Sequence, residues 1–425
     1  MAVTLALAGD TMLGRGVADR IAADGPLRLF APEVRRWCAA ADLRIVNLEC
    51  CVSDRGAPWP APGKPFFFRA PPAAVQALVW LGVDCVTLGN NHALDFGRAA
   101  LRDTLRHLAD AGIACVGAGV DARAAAAPVA LGSGGAQVTV LGATDHPADF
   151  AAGPGRPGVA YVDLRPDQPG RRLRASGAGT ATPALGRPEP SGAGTPAEPG
   201  PAAGHPGAAS PDRLDALTAR VRAARRPGGI TLVTPHWGPN MTTAPQPAVR
   251  RAAAALVDAG ATLVAGHSAH VFHGVAGRVL FDLGDFIDDY AVDPRLRNDL
   301  GLLWLVTVDA AGPRRIRAVP LALDFCHTRL ADRAEYAWVR DRLTAACAAL
   351  GTGVADAGDH LEVATTPGPA TAGPAAAGSA GPGPAVPEPA GPPSTTVRRA
   401  RASGTPAVET GGRDGGGGTR PPRSR

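Results

Sequence analysis

Lysine is nearly missing from this chain: Lys64 stands alone beside 42 arginines. Such an imbalance points to a GC-rich coding sequence more than to a basic surface shaped for nucleic acid. The net charge of +5 is concentrated at the end, where Arg398 to Arg425 holds seven arginines against Glu409 and Asp414. The remainder is close to neutral, so the tail reads as a solvated extension and no nucleic-acid partner is expected. An Arg-rich accessory role at a nucleic acid is the weakest alternative; it would be carried by this tail alone.

Paired cysteines are also lacking. The seven cysteines form an odd set with no CxxC spacing and several lie in apolar runs, so reduced thiols in a core are the simplest account. No uninterrupted apolar run reaches the ~18 residues that a transmembrane helix needs. The apolar start, MAVTLALAGD, is too short for a signal peptide and lacks a basic leader. A cytoplasmic protein is therefore expected, with its first segment a buried strand.

Glycine and proline, 54 and 42 residues, crowd into two stretches almost free of large hydrophobes, 164–210 and 351–425. Both are expected to be disordered, since such composition cannot bury enough apolar surface to offset chain entropy. Between them, 1–163 and 211–350 share one rhythm of short β-rich runs and helical patterns, and so are read as a single domain with an insertion. Strands are expected at Val3–Ala8, Leu43–Leu48, Cys85–Leu88, Ala114–Gly117, Val138–Gly142, Ile230–Thr234, Thr262–Ala265, Val279–Leu283, Leu302–Val308 and Ile316–Pro320. Helical patterns include Ala73–Leu81, Arg98–Ala111, Pro211–Arg225 and Ala248–Ala259. Continuous apolar strands imply burial on both faces, hence an α/β sheet sandwiched by helices with later antiparallel hairpins.

Polar residues sit where these strands end. Asp10 follows LALAG, Asn47 and Glu49 close IVNLE, Asn91 and His92 follow VTLGN, His236 follows LVTP, and His267 and His270 follow LVAG. The carboxyl ends of parallel strands share one edge, so residues scattered along the chain can converge there. Two divalent cations need carboxylates, further oxygen or imidazole donors, and room for water. Asp10, Glu49, Asn91, His236, His267 and His270 supply that mixture, which suits Mn, Fe, Zn or Co better than Mg alone. Any one of them has a plainer reading as a turn former, cap or core group; their joint placement at strand ends favours the metal centre.

His92, directly after Asn91, is the candidate acid or base that binds no metal. Asp95 would orient it, or else cap the helix beginning near Phe96. Arg15, Lys64 and Arg69 lie in loops expected to border the same edge and to hold an anionic substrate, with simple surface solvation as the alternative. In LFDLGDFIDDY, Asp282, Asp285, Asp288 and Asp289 cluster behind a strand. Asp285 and Asn47 are expected to stand behind the ligands and support them.

The pieces GDTMLGRGV, NLE, KPFFFRAPP, LGNNHALDFG, PHWGPN, the GHxxH of AGHSAHVFHG and LGDF, in that order over residues 1 to about 290, resemble the CapA-type capsule and poly-γ-glutamate synthesis proteins, a branch of the calcineurin-like metallophosphoesterase superfamily. The resemblance implies a four-layer αββα fold with the metal site between two sheets. It implies metal-ligand positions at Asp10, Glu49, Asn91, His236, His267 and His270, and a leaving-group histidine at His92. Ser268 stands where related families commonly have a second histidine, and Gly284-Asp285-Phe286 stands where GNF is usual, so His273 is a further ligand candidate. The expected activity is hydrolysis of a phosphoester or related anionic substrate, small or polymeric, with water activated at the two-cation centre and His92 protonating the leaving group. The competing expectation is a noncatalytic subunit that binds a polyanion or partner in envelope polymer biosynthesis.

Overall fold

The structure is a computed structural model that describes residues 1–61, 64–164 and 214–365. The first strand shows how the sequence builds it. In Val3–Thr11, Leu5 and Leu7 share one cluster with Val140 and Leu232, whereas Ala6 and Ala8 join another with Val17, Leu78 and Leu101. Side chains alternate across a strand, so this split assigns each face a different neighbour. Large leucines fill the gap to a second sheet; the alanines let helices come close.

The same alternation repeats on Leu43–Leu48, where Leu43 and Ile45 face inward and Val46 and Leu48 outward. On the second sheet, Ile230 and Leu232 of Ile230–His236 face the shared core, while Val233 packs with Leu217, Val221, Val249 and Leu256 of the helices Leu214–Ala224 and Pro247–Asp258. The layers are therefore helices, sheet, sheet, helices. The arrangement corrects the reading of a single sheet between helices and agrees with the four-layer fold that the family resemblance implies. Burial on both faces was legible in the residues; whether a helix or a second sheet covers a face is not encoded in one strand's pattern.

The larger sheet runs Val354–Asp356, Leu361–Val363, Gly312–Leu323, Leu300–Asp309, Val3–Thr11, Leu43–Leu48, Cys85–Thr87, Ala114–Val116. Its last four strands are parallel, and Asp285–Ile287 pairs with the end of Val3–Thr11, Asp10 opposite Asp285. The smaller sheet runs Val275–Ala276, Val279–Leu280, Leu263–Ala265, Ile230–His236, Ala136–Thr144, Val129–Ser133, parallel at its centre.

Two expectations change. The tail does not begin at 351: Val354–Asp356 and Leu361–Val363 extend the larger sheet, and Leu361 and Val363 are buried in the inter-sheet core. Their apolar residues are too few to stand out from the surrounding Gly and Asp. The expected disorder of 165–210 and of 366–425 concerns residues outside those described. The helix Arg333–Ala348, not among the expected elements, buries Val339, Leu343 and Cys347 along one face. All seven cysteines are free, six of them buried. Among the described residues no helix is long and apolar enough to cross a membrane.

Candidate metal centre

Both sheets deliver side chains to one edge. From the larger come Asp10, next to last in Val3–Thr11, Asn47 within Leu43–Leu48, Glu49 just beyond it, Asn91 and His92 after Cys85–Thr87, and Asp285 at the start of Asp285–Ile287. The smaller contributes His236, the last residue of its strand, with His267 and His270 in the loop after Leu263–Ala265. His236 and His267 are bridged strand-fashion, His267 N–H donating to the Pro235 carbonyl at 3.0 Å and Trp237 N–H to that of His267 at 3.1 Å.

The loop bearing the last two histidines is strained. Ser268 has φ 111° and His270 φ 60°, both in the region that disfavours side chains. Asp282 holds it, accepting from Ala269 N–H at 2.8 Å and Gly284 N–H at 2.9 Å. Strain retained by such bonds is typical of sites where one side chain must be aimed. Beneath the cluster, a Cβ on Gly9 would fall 1.6 Å from the Gly284 carbonyl oxygen, so only glycine lets the two strands meet here.

The side chains converge closely. Ligand atoms of Asp10, Glu49, His270 and Asp285 lie within 4.8 Å of one another. His267 Nδ1 is 3.5 Å from Asp10 Oδ1, His270 Nδ1 is 3.4 Å from Asp10 Oδ2, and His236 Nε2 is 3.9 Å from Glu49 Oε1. Asn47 donates to Asp10 Oδ1 at 2.6 Å and is itself held by Asn90, whose amide donates to Asn47 Oδ1 at 3.0 Å.

What this set lacks is partners. Asp10 Oδ2, both Glu49 carboxylate oxygens, Asn91 Oδ1, Asp285 Oδ2 and His267 Nδ1 are buried without a hydrogen bond. Buried polar atoms are nearly always satisfied, and a carboxylate left alone in a protein interior is costly. Several such atoms around one point, a mixture of oxygen and nitrogen donors, fit a divalent cation. The electrostatics agree. Burial, then the Asp10 charge, pushes Glu49 well above the usual carboxyl range, and burial with the Asp288 charge does so for Asp285. At Asp10 burial is outweighed by the neighbouring His267, His236 and His270 imidazoles, holding it low; at His270 burial is outweighed by the Glu49 and Asp10 charges, holding it high.

His92 stands beside this group, its Nε2 3.9 Å from Glu49 Oε1 and its ring stacked 3.9 Å from that of Phe68. Its Nδ1 contacts Asp95 Oδ2 at 2.6 Å. Asp95 also accepts from Phe68 N–H at 2.6 Å and pairs with Lys64 at 3.1 Å, and the helix Gly97–Asp110 has no side-chain cap. The capping alternative for Asp95 therefore gives way to the contact with His92. Burial holds the His92 imidazole down at about 4, against the pull of Asp95.

The cluster opens into a cavity of about 650 Å³, which Arg15 and Lys64 line but Arg69 does not. Arg69 instead lies over the Phe96 ring at 4.2 Å. His273 is also removed from the group: it is buried and donates to the Thr242 carbonyl at 2.8 Å. Asp285 was expected behind the ligands. It bonds to His270 Nδ1 at 2.9 Å, as such a support would, but stands inside the ligating group as well. Its pairing opposite Asp10, invisible before the strands were placed, explains the difference.

Asn90, Asp145, His146 and Tyr290 were not singled out from the sequence. His146 lines the cavity, contacts Asp145 at 2.5 Å and approaches the His236 ring at 5.3 Å. The only sequence signal for this pair was its position after the strand Ala136–Thr144, equivalent to the other donor loops.

Residues 4–290 match the family model described as bacterial capsule synthesis protein PGA_cap. The chain is 28% identical over 389 residues to the "Probable polyglutamine synthesis accessory protein" of Mycobacterium tuberculosis, covering 80% of this chain and 90% of that protein. It is 24% identical over 297 residues to the capsule biosynthesis protein CapA of Bacillus anthracis, covering 68% and 60%. Among solved structures, a novel phosphatase from Mycoplasma pneumoniae aligns over 79% of this chain and 97% of its own, with TM-score 0.35 and 10% identity.

Proposed function

Because the chain belongs to the bacterial capsule synthesis protein PGA_cap family, we propose that it is a metal-dependent hydrolase of a phosphoester or related anionic substrate, working in capsule, poly-γ-glutamate or other envelope metabolism. The observation that carries this reading is the set of buried donor atoms left without partners, gathered next to His270 and Asn91, which line an open cavity. Asp10, Glu49, Asn91, His236, His267 and His270 would hold two divalent cations, with Asp285 joining them. Cations bound there supply Lewis acidity and bring the pKa of a coordinated water toward ~7.

The chain's own residues account for the remaining tasks. Asn47 fixes the Asp10 carboxylate through its 2.6 Å bond, and Asn90 fixes Asn47 in turn. Arg15 and Lys64, lining the cavity, supply positive charge to an anionic group. His92 delivers a proton to the leaving group from Nε2. Asp95 accepts at Nδ1 and so keeps Nε2 turned toward the cavity. Burial favours the neutral ring, whereas Asp95 and an arriving anionic substrate both favour the cation, so the proton is acquired as substrate binds. The capsule biosynthesis and polyglutamine synthesis in the names of relatives support placement in envelope metabolism; the phosphoester bond rests on analogy of fold.

A screen of phosphomonoesters and phosphodiesters, before and after removal of metal by chelation, tests the reading. Turnover that disappears with the metal and returns on adding Mn²⁺ is expected. Tight metal binding without any turnover would favour the noncatalytic subunit.

A further inference from the structure

The cavity wall is unlike a track for a polyanion. Arg15 and Lys64 are the only fixed cations among its described lining residues, and each already faces a carboxylate. Arg15 Nε is 3.2 Å from Asp289, and Lys64 Nζ is 3.1 Å from Asp95. Behind the lining residue His270 stand the carboxylates of Asp10, Glu49 and Asp285. Beyond the metal centre, an extended chain of carboxylates would meet among the described lining residues only these two cations, each already shared with a carboxylate of the protein.

Apolar and aromatic surface surrounds the Arg15 guanidinium instead. Its Cζ lies 5.3 Å from the Phe66 ring, 5.6 Å from Phe68 and 5.9 Å from Tyr290. Phe66 and Met241, both lining the cavity, are 54% and 37% exposed. Large side chains left in water at the mouth of a cavity gain most from an apolar ligand covering them.

Resting on the proposed reading of the site as one for anionic esters, we infer that the preferred substrate joins one anionic head group to an apolar or aromatic arm. The head sits at the metal centre and Arg15, and the arm lies along Phe66, Phe68, Tyr290 and Met241. A polyanion such as γ-linked polyglutamate is disfavoured.

Calorimetric titration of the Mn²⁺-loaded full-length protein with phenylphosphonate, methylphosphonate and a γ-linked glutamate hexamer tests this, since the two phosphonates share a head group and neither is hydrolysed. Phenylphosphonate should bind roughly tenfold tighter than methylphosphonate, given the apolar area it can cover, and the hexamer should bind weakest. Phe66→Ala should cut the phenyl-to-methyl ratio to about twofold, because the exposed ring is a large share of that area. Val79→Ala, at an exposed position on the helix Val75–Leu81 and outside the cavity lining, should keep the wild-type ratio. A ratio near unity in the wild type, the hexamer binding tightest, or no phosphonate binding would overturn the inference. Phenyl preference without turnover of any ester would remove only the hydrolase reading; turnover without phenyl preference would remove only this one.

Discussion

The two sheets furnish the site with different chemistry. The larger gives oxygen donors, Asp10, Glu49, Asn91 and Asp285, whereas the smaller gives only imidazoles, His236, His267 and His270. Neither half is complete alone. The oxygen side gathers carboxylates whose charges repel; on the nitrogen side burial pushes the His236 ring toward neutrality, while at His270 burial is outweighed by the charges of Glu49 and Asp10. Packing of the sheets through Leu5, Leu7, Val140 and Leu232 brings the sets together, so the inter-sheet core is also what assembles the site.

This division can be broken deliberately. Asp10 contacts both His267 and His270, so Asp10→Ala should act most strongly, removing most bound metal and lowering kcat/KM by at least ~10³-fold. Elemental analysis and ester turnover on the same preparation check both. His236→Ala removes one nitrogen donor and leaves the carboxylates. It should lower metal stoichiometry without abolishing it; complete loss of metal would erase the asymmetry between the halves. His92→Ala separates chemistry from metal binding: kcat should drop ~10²–10⁴-fold with metal content unchanged. Full activity in that variant would end the proton-donor role. Asp285→Asn should weaken metal affinity about 10–100-fold, read by competition with a chelating dye.

The smallest expected effect concerns pH in the chelated protein, and it has opposite sign on the two sides. Glu49 is raised by burial and by Asp10, so its favourable contribution is present below the unfolded carboxyl value and is lost as pH rises through the folded one. His236 is depressed, chiefly by burial, so its contribution is present above the ordinary imidazole value and is lost as pH falls. Glu49→Gln should therefore raise the Tm of chelated protein at neutral pH relative to wild type, and should reduce the Tm gain on adding metal. Melting curves with and without Mn²⁺ at several pH values read both changes; a lower Tm for the chelated variant would contradict the sign.

Parts of this architecture were legible because they depend on local pattern. Leu43–Leu48 has the expected bounds, and Val3–Ala8 is found extended to Thr11. The donors at strand ends were visible because a polar residue directly after an apolar run has few reasons to be there. Relations between strands were not visible. The second sheet, the place of Asp285 opposite Asp10 and the proximity of His146 to His236 all depend on which strands pair and pack. Arg69 shows the reverse error: a cation in the right stretch of sequence found its partner in the ring of Phe96. One local signal went unread, the Asp332 and Glu335 capping box that starts Arg333–Ala348.

Unpartnered donor atoms from both sheets call for bound cations. Elemental analysis of the purified full-length chain, after loading with Mn²⁺ and exhaustive dialysis, tests this most directly. Two tightly held ions per chain in the wild type, with marked loss in Asp10→Ala, are predicted; a wild-type chain that retains no ion would contradict the account.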